Sequence, residues 1–596
     1  MRLRIAELGL RAGQFSKISI GKKSLWIKTS ASGMPERVLV DKCAHMGSPL
    51  EVRQDGFVCR AHGWLYSQSG DNRTLGNPGL ENLQFSVDGD ELEVKVEFPD
   101  PILSVSGSLK GDETLELLAH ASFLLRVDDK VVLFDPWLEG PTYWGSWHHY
   151  PKNSVDIQAL GVTDIIITHP HPDHFHIPTL MQLPREANVF IPNFESGILQ
   201  RELGALGFGH VNLTGWEEKV ALGKNFEFAF LRPISQWEDA SCLVRVQDWI
   251  WLNQNDSGAA LKDELLPESL DLLTTSFDVG ASGYPLTWNI SDGRKGAIVA
   301  AGKTQILSAI QRRARSTQSK YFAPFAGWWR HGLLEHEAFS KILEHTQFDD
   351  LRELFRESET SLLETIPSSK IVLKTMQHTW DTEVRAQLNA EINRVAFKQP
   401  NSVLSDALLK QKLHEHLSGL AQLSHASSCE NVDFIVSVPT IGFEIKQRFG
   451  SLEGQMLVQV RAEIPRWIGE LLVGGDSTCT WNHVDIGYWV GWSRSPDIYP
   501  ANFMRLLQLG YQPDLAFRIR ESQNPDDIEK KSIAELIELN PELASSILNR
   551  AGLPCAACTK TNSDSLGNAF EIHKVPESLR LRAKNLLEAL ASHSNV

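Results

Sequence analysis

Four residues near the start of the chain constrain its fold more than any other feature. In CAHMGSPL, Cys43 and His45 stand two apart, and in CRAHGWLYSQSG, Cys59 and His62 stand three apart. Thirteen residues separate the pairs, and each pair offers one thiolate and one imidazole. Mixed pairs suit a [2Fe–2S] cluster in which one iron takes two cysteines and the other two histidines, because two loops must each bring one ligand of either kind. Tetrahedral zinc would accept the same residues, but zinc-finger spacing groups Cys with Cys and His with His. Gly47 and Gly63 permit tight turns beside such a cluster, and Tyr66 and Ser67 are placed to donate hydrogen bonds to its sulfurs.

The motif resembles the ferredoxin and oxygenase branch of the Rieske family, with HGW after the fourth ligand and Arg60 where that branch often has proline. Around it, KSLWIKT, RVLVDK, GFVCR and DELEVKVEF read as short strands, the last with apolar and charged residues alternating. Residues 1–105 are therefore expected to form an all-β domain. FPDPILSVSG, with two prolines, reads as a linker.

A second pattern starts near residue 106 and is expected to run to 345. ETLELLAHASFLLRV, the turn DDK and VVLFDPWL predict a hairpin, and strand-like and helical segments then alternate as in a layered α/β fold. The strand DIIITH leads into HPHPDHFH, which presents His169, His171, Asp173 and His174. In an extended segment His169 and His171 point to one side and can share a metal, while Asp173 and His174 on the following turn can serve a second.

This run resembles the metallo-β-lactamase superfamily. The resemblance implies an αββα fold and further ligands from later strand ends: one histidine, a bridging aspartate and a last histidine. Asp256 in WLNQNDSG fits the bridge, and His331 in FAGWWRHG the last position, with His336 a weaker option. LRPISQWEDASC has no histidine for the remaining position. Glu238 is the best substitute there, with Asp239 and Gln236 competing. A carboxylate in place of imidazole makes the site harder and more anionic, which suits iron or manganese better than zinc. His120 and His176 read as structural or supporting residues. His148 and His149 lie in a loop rich in Gly and Trp that is suited to holding a substrate.

The order of the two domains resembles the CMP-N-acetylneuraminate hydroxylase family and its bacterial relatives. LAHASFLL, FDPWLEGP, FDVGASGYPLTW, PFAGWW, IPRWIGELL and SRSPDIYP extend the likeness over residues 40 to 510. The β-lactamase-fold diiron hydroxylases of natural-product pathways are a second relative. The resemblance implies a monooxygenase that hydroxylates or N-oxygenates a small organic substrate with O2 at one or two nonheme irons. Its electrons would come from a ferredoxin, cytochrome or reductase and enter through the cluster. Two rival readings remain open: a lactone or phosphodiester hydrolase with a regulatory cluster, and a redox-sensing or binding protein.

With 596 residues the chain exceeds one hydrophobic core. Its 58 basic and 74 acidic residues leave a net charge of −16, which argues against a nucleic-acid partner. No apolar run suits a membrane span or a signal peptide, so a cytoplasmic, membrane-free protein is expected. Seven cysteines do not make a disulfide framework, and Cys555 with Cys558 reads as a plain thiol pair. Residues 346–596 read as helical and mixed α/β, capping the active site or forming a homodimer interface.

Overall fold

The computed structural model describes residues 2–20, 23–41, 50–53, 56–59, 65–71, 79–80, 82–95, 107–194, 196–232, 238–257, 266–423, 426, 429–451, 456–474 and 479–508, with scattered positions between 528 and 590. They fall into two compact units. The first comprises Met1–Asn193, Leu199–Val279 and Gly296–Val395; the second comprises Phe194–Ile198, Gly280–Lys295 and Ala396–Val596.

The N-terminal part of the first unit is built from three small antiparallel sheets. One takes Phe15–Ile20, Lys23–Thr29 and Pro35–Val40, another Leu50–Arg53, Gly56–Cys59 and Leu65–Ser67, and the third Arg2–Arg4, Glu91–Lys95 and Gln84–Asp88. Alternating apolar residues form two cores: Leu39, Leu50, Phe57, Tyr66 and Leu80 in one, and Ile18, Leu25, Ile27, Val38, Leu92 and Val94 in the other. The ladder has a consequence for the ligand motif. Leu50, which ends the first ligand segment, pairs with Cys59, which starts the second, so their Cα atoms stand about 4.5–5.5 Å apart. Buried Asp41, at the start of the first segment, accepts hydrogen bonds from Leu50 N (2.9 Å) and Trp26 Nε1 (2.7 Å). Sheet register and one carboxylate thus bring the ends of both segments together.

Behind it stand two larger sheets. The eight-stranded one runs His210–Thr214, Asn188–Pro192, Asp164–Ile166, Lys130–Phe134, Ser122–Val127, Thr114–Ala119, Ser369–Val372 and His378–Thr379. The seven-stranded one runs Val220–Ala221, Phe226–Leu231, Ser241–Val246, Trp249–Asn255, Leu272–Ser276, Tyr321–Phe325 and Ser361–Leu362. Aromatic side chains knit the sheets face to face: Phe123 meets Trp251 (5.2 Å) and Phe325 (5.5 Å), and Phe190 meets Phe228 (5.5 Å). The expected hairpin is present, with Val127 opposite Lys130 across its turn, and a second one not expected from the sequence precedes it, with Ala119 opposite Ser122 across its tip. Strands beyond residue 345 belong to these same sheets, since Ser369–Val372 pairs along Thr114–Leu117 and Ser361 pairs with Tyr321. A boundary at 345 would cut both sheets, and the first unit continues to Val395.

The second unit has a four-stranded sheet in the order Phe443–Phe449, Val432–Val438, Val458–Glu463, Gly491–Ser495, with the helices Asp406–Ala421, Arg466–Val473 and Trp481–Ile486. Two of the family landmarks meet there: Trp288 stacks on Trp492 (5.6 Å), and Arg494 lies over Trp288 (4.8 Å). Buried Asp485 accepts from Ser282 Oγ (3.0 Å) and Trp492 Nε1 (2.9 Å). Among the described residues, no helix is long and apolar enough to cross a membrane.

Candidate metal centre

Loops leaving the strand ends of the two large sheets carry the titratable residues of HPHPDHFH and its partners. His169 follows the strand Asp164–Ile166, Asp256 follows Trp249–Asn255, Asp239 precedes Ser241–Val246, and His120 sits at the hairpin tip between Ala119 and Ser122. Their donor atoms converge in three overlapping groups, each within 4.8 Å: His169, His171 and Asp239; His169, His174 and Asp256; and His120, Asp173 and His174. His174 Nε2 stands 3.2 Å from Asp256 Oδ2 and 3.4 Å from Asp173 Oδ2, and His120 Nε2 stands 3.2 Å from that same Asp173 oxygen. Donors bound to one metal at about 2.1 Å in a tetrahedral shell lie about 3.4 Å apart, so this spacing fits a metal.

The electrostatics fit as well. Burial, reinforced by the charges of Asp256 and Glu238, pushes the Asp239 carboxyl up to about 7. Burial opposes ionisation of both Asp173 and His174, yet their mutual attraction wins: Asp173 is held well below the usual carboxylate range, and His174, facing Asp173 and Asp256, well above the usual imidazole value. The buried atoms Asp256 Oδ1 and His174 Nε2 have no hydrogen-bond partner. A cation between these groups relieves the crowding of carboxylates and satisfies those atoms.

Supporting residues fix the donors. Asp135, fully buried, accepts from Thr168 N (2.8 Å), Thr168 Oγ1 (2.8 Å), His174 Nδ1 (3.1 Å) and Asn255 Nδ2 (2.7 Å). It thereby leaves His174 Nε2 to face the metal position. Tyr143 OH donates to Asp173 Oδ1 at 2.7 Å. That ring is delivered by an unusual backbone, with Tyr143 at φ 47° and Trp144 at φ 54°. Two consecutive bulky residues in the left-handed region cost about 1–3 kcal/mol each, a local strain typical of functional sites. His149 stacks on Trp137 (4.1 Å) with Nε2 2.9 Å from Trp137 O, and burial pushes its pKa down to about 3. Trp137 in turn meets His120 edge-on at 5.2 Å. His149 also lines a cavity of about 720 Å³, together with His148, Tyr150, Asn153, Gln182, Gln387 and Asn393 among others.

The residues singled out from sequence are distributed as follows. His169, His171, Asp173, His174 and Asp256 come together, and Asp239 is the carboxylate that joins His169 and His171. Glu238 is buried beside it but is not among the converging donors. Neither is His331. Its strand Trp329–His331 pairs with Trp147–His149, and its ring packs against Trp329 (5.1 Å) and His336 (5.7 Å), with Nδ1 3.4 Å from Ser340 Oγ. His336 Nδ1 meets Ser146 Oγ at 3.0 Å, and His176 Nδ1 caps the helix Ile177–Leu180. His120, read from sequence as structural, stands with Asp173 and His174 instead; its signal was its place in a two-residue hairpin turn, where a side chain reaches the sheet edge. Cys43, His45, His62, Gln236, Cys555 and Cys558 lie outside the described residues, and of Cys59 only the backbone, ending Gly56–Cys59, is described. The Ser67 hydroxyl is engaged with Ser69 Oγ (2.6 Å).

Comparison with known proteins agrees with this division. The profile described as the Rieske [2Fe-2S] domain matches residues 4–85, and the beta-lactamase superfamily domain matches residues 114–232. The chain therefore carries a Rieske domain followed by a β-lactamase-fold domain. It is 24% identical over 336 residues to the cytidine monophosphate-N-acetylneuraminic acid hydroxylase of Danio rerio, a match covering 54% of this chain and 55% of that protein. The Cricetulus griseus protein of the same name is 26% identical over 326 residues, covering 48% and 55%. The chain thus spans about half the length of the curated relatives it matches. Among solved structures, it is similar to CmlA, a diiron beta-hydroxylase from Streptomyces venezuelae, with 15% identity, coverage of 46% and 55%, and a TM-score of 0.29.

Proposed function

We propose that this protein is a Rieske-coupled nonheme diiron monooxygenase that hydroxylates or N-oxygenates a small organic substrate with O2 and externally supplied electrons. The observation that carries the reading is the acid-rich donor set behind a Rieske domain: Asp239 stands with His169 and His171, where the hydrolytic pattern would place a third histidine. In this reading His169, His171 and Asp239 would hold one iron and His120, Asp173 and His174 the other, with Asp256 available beside His174. Cys43, His45, Cys59 and His62 would hold the [2Fe–2S] cluster, which would supply one-electron transfer from a ferredoxin, cytochrome or reductase. Iron bound at the second site supplies O2 activation and the oxidising power for attack on a C–H or N–H bond.

The protein's own residues do the rest. Asp135 orients His174, and Tyr143 donates to Asp173 Oδ1. Trp137 and Trp147 wall His120 on two sides and exclude water from it. The cavity that His149 lines is large enough for a small organic substrate and mixes polar with apolar side chains, as ligand sites do.

The test is anaerobic purification followed by metal and acid-labile sulfide analysis, with O2 uptake measured with and without reductant. The proposal expects about four irons and two sulfides per chain and O2 uptake only with reductant. Two irons plus zinc, with hydrolysis that needs no O2, would replace it with the hydrolase reading.

A further inference from the structure

We propose that Tyr143, Trp147 and Trp329 form a one-electron relay that drains oxidising equivalents from the metal centre when no substrate consumes them; the relay rests on the oxygenase reading above. The three rings are contiguous. Tyr143 OH donates to Asp173 Oδ1 at 2.7 Å, the Tyr143 ring lies 4.8 Å from Trp147, and Trp147 stacks on Trp329 at 3.8 Å with the ring planes 6° apart. All three are buried, at 3%, 2% and 1% exposure.

Trp147 and Trp329 sit diagonally across the paired strands Trp147–His149 and Trp329–His331. Aromatic pairs prefer offset or edge-on arrangements with centroids 4.5–7 Å apart, and the Trp147–Trp329 pair is closer and nearly parallel. Overlapping indole π-systems share a positive hole, which makes the pair easier to oxidise than either ring alone. Trp147 Nε1 is buried with no hydrogen-bond acceptor, so an oxidised Trp147 keeps its proton. The left-handed backbone at Tyr143 and Trp144 spends local strain to place the first ring against a metal-binding carboxylate.

Beyond the stack, Trp329 meets His345 edge-on at 5.5 Å. His345 Nδ1 stands 2.7 Å from Asp278 Oδ2, and Arg330 lies 4.0 Å from the same oxygen. Trp328 and Arg330, on either side of Trp329 in sequence, line a cavity of about 330 Å³.

The electrons balance as follows. Tyr143 gives one electron to the oxidised metal site and its phenolic proton to Asp173. Trp147 gives one electron to Tyr143, which takes the proton back from Asp173, and the hole rests on the Trp147–Trp329 stack. A thiol in solution then supplies one electron to the stack and releases a proton as it becomes a thiyl radical. The net change is one oxidising equivalent removed from the metal site and one thiol oxidised.

In the test, the iron-loaded, reduced chain is mixed with O2 without substrate and freeze-quenched, and its EPR spectrum is compared with that of protein grown on ring-deuterated tryptophan. The relay predicts an indolyl radical that narrows on deuteration and is lost in Trp147→Phe and Trp329→Phe, with cluster and metal content retained. O2 uptake without any protein radical, or an indolyl signal unchanged in both variants, overturns it. If no O2 is taken up, the oxygenase reading fails, and pulse radiolysis of the metal-free chain with azide radicals decides the relay separately. There the relay predicts a concentration-independent conversion of tyrosyl into indolyl radical that Tyr143→Phe removes. Identical kinetics in wild type and Tyr143→Phe overturn the relay whatever the metal does.

Discussion

Asp135→Asn changes one atom at the centre of four hydrogen bonds. Asn tolerates the left-handed backbone that Asp135 adopts at φ 42°, so conformational strain does not enter. If the amide oxygen replaces Oδ2, it keeps the bonds from Thr168 Oγ1, His174 Nδ1 and Asn255 Nδ2, but as a neutral acceptor. The amide NH2 then faces Thr168 N, donor against donor. One unsatisfied buried donor costs about 1–3 kcal/mol, and the loss of charge on three bonds about 0.5–1 kcal/mol each. The sum is about 2.5–6 kcal/mol of stability. His174 also loses its carboxylate partner, a change that usually weakens a metal site about 10–100-fold, or about 1.4–2.8 kcal/mol. Chelator competition for the non-cluster metal and denaturant unfolding of the metal-free chain measure the two effects separately. Unchanged metal affinity together with unchanged stability would refute the role assigned to Asp135.

Three further predictions follow from the same geometry. Asp239→His restores a third imidazole beside His169 and His171 and is expected to shift the metal retained after growth on mixed metals from iron toward zinc, read by elemental analysis. Trp251→Ala empties the contact between the large sheets where Trp251 meets Phe123 and Phe134 and donates to Thr274 Oγ1, with an expected loss of about 3–5 kcal/mol in denaturant unfolding. Burial raises the Asp485 carboxyl above its ordinary value despite the bonds from Trp492 and Ser282. A pKa raised on folding gives stability that is full below the unfolded value and lost as pH rises through the folded one, so Asp485→Asn should remove a decline in stability that begins above about pH 4.

The parts of the centre visible in the sequence are those whose donors are close along the chain. His169, His171, Asp173 and His174 span one loop, and the two Cys–His pairs lie within twenty residues. Asp256 was legible because it directly follows a buried strand. His120, Asp135 and Asp239 reach the centre from separate strand ends, and no local pattern states which ends share an edge. Asp135 lay within FDPWLEGP, where an Asp-Pro turn explains its presence without any reference to His174. His331 looked right by type and order, but the pairing of its strand with Trp147–His149 turns it toward His336 and Ser340. The boundary at 345 failed for a similar reason, since the short strands at 361–362 and 369–372 have too few residues to announce themselves and draw their stability from long neighbours.

In the proposed oxygenase, electrons leave the Rieske cluster for O2 by way of the His/Asp centre. Stopped-flow absorbance of the chemically reduced, iron-loaded protein mixed with O2 tests it directly. The cluster is expected to reoxidise quickly in the wild type and at least about tenfold more slowly in Asp256→Asn, with cluster content equal in both. Equal rates of cluster reoxidation in the two proteins would contradict it.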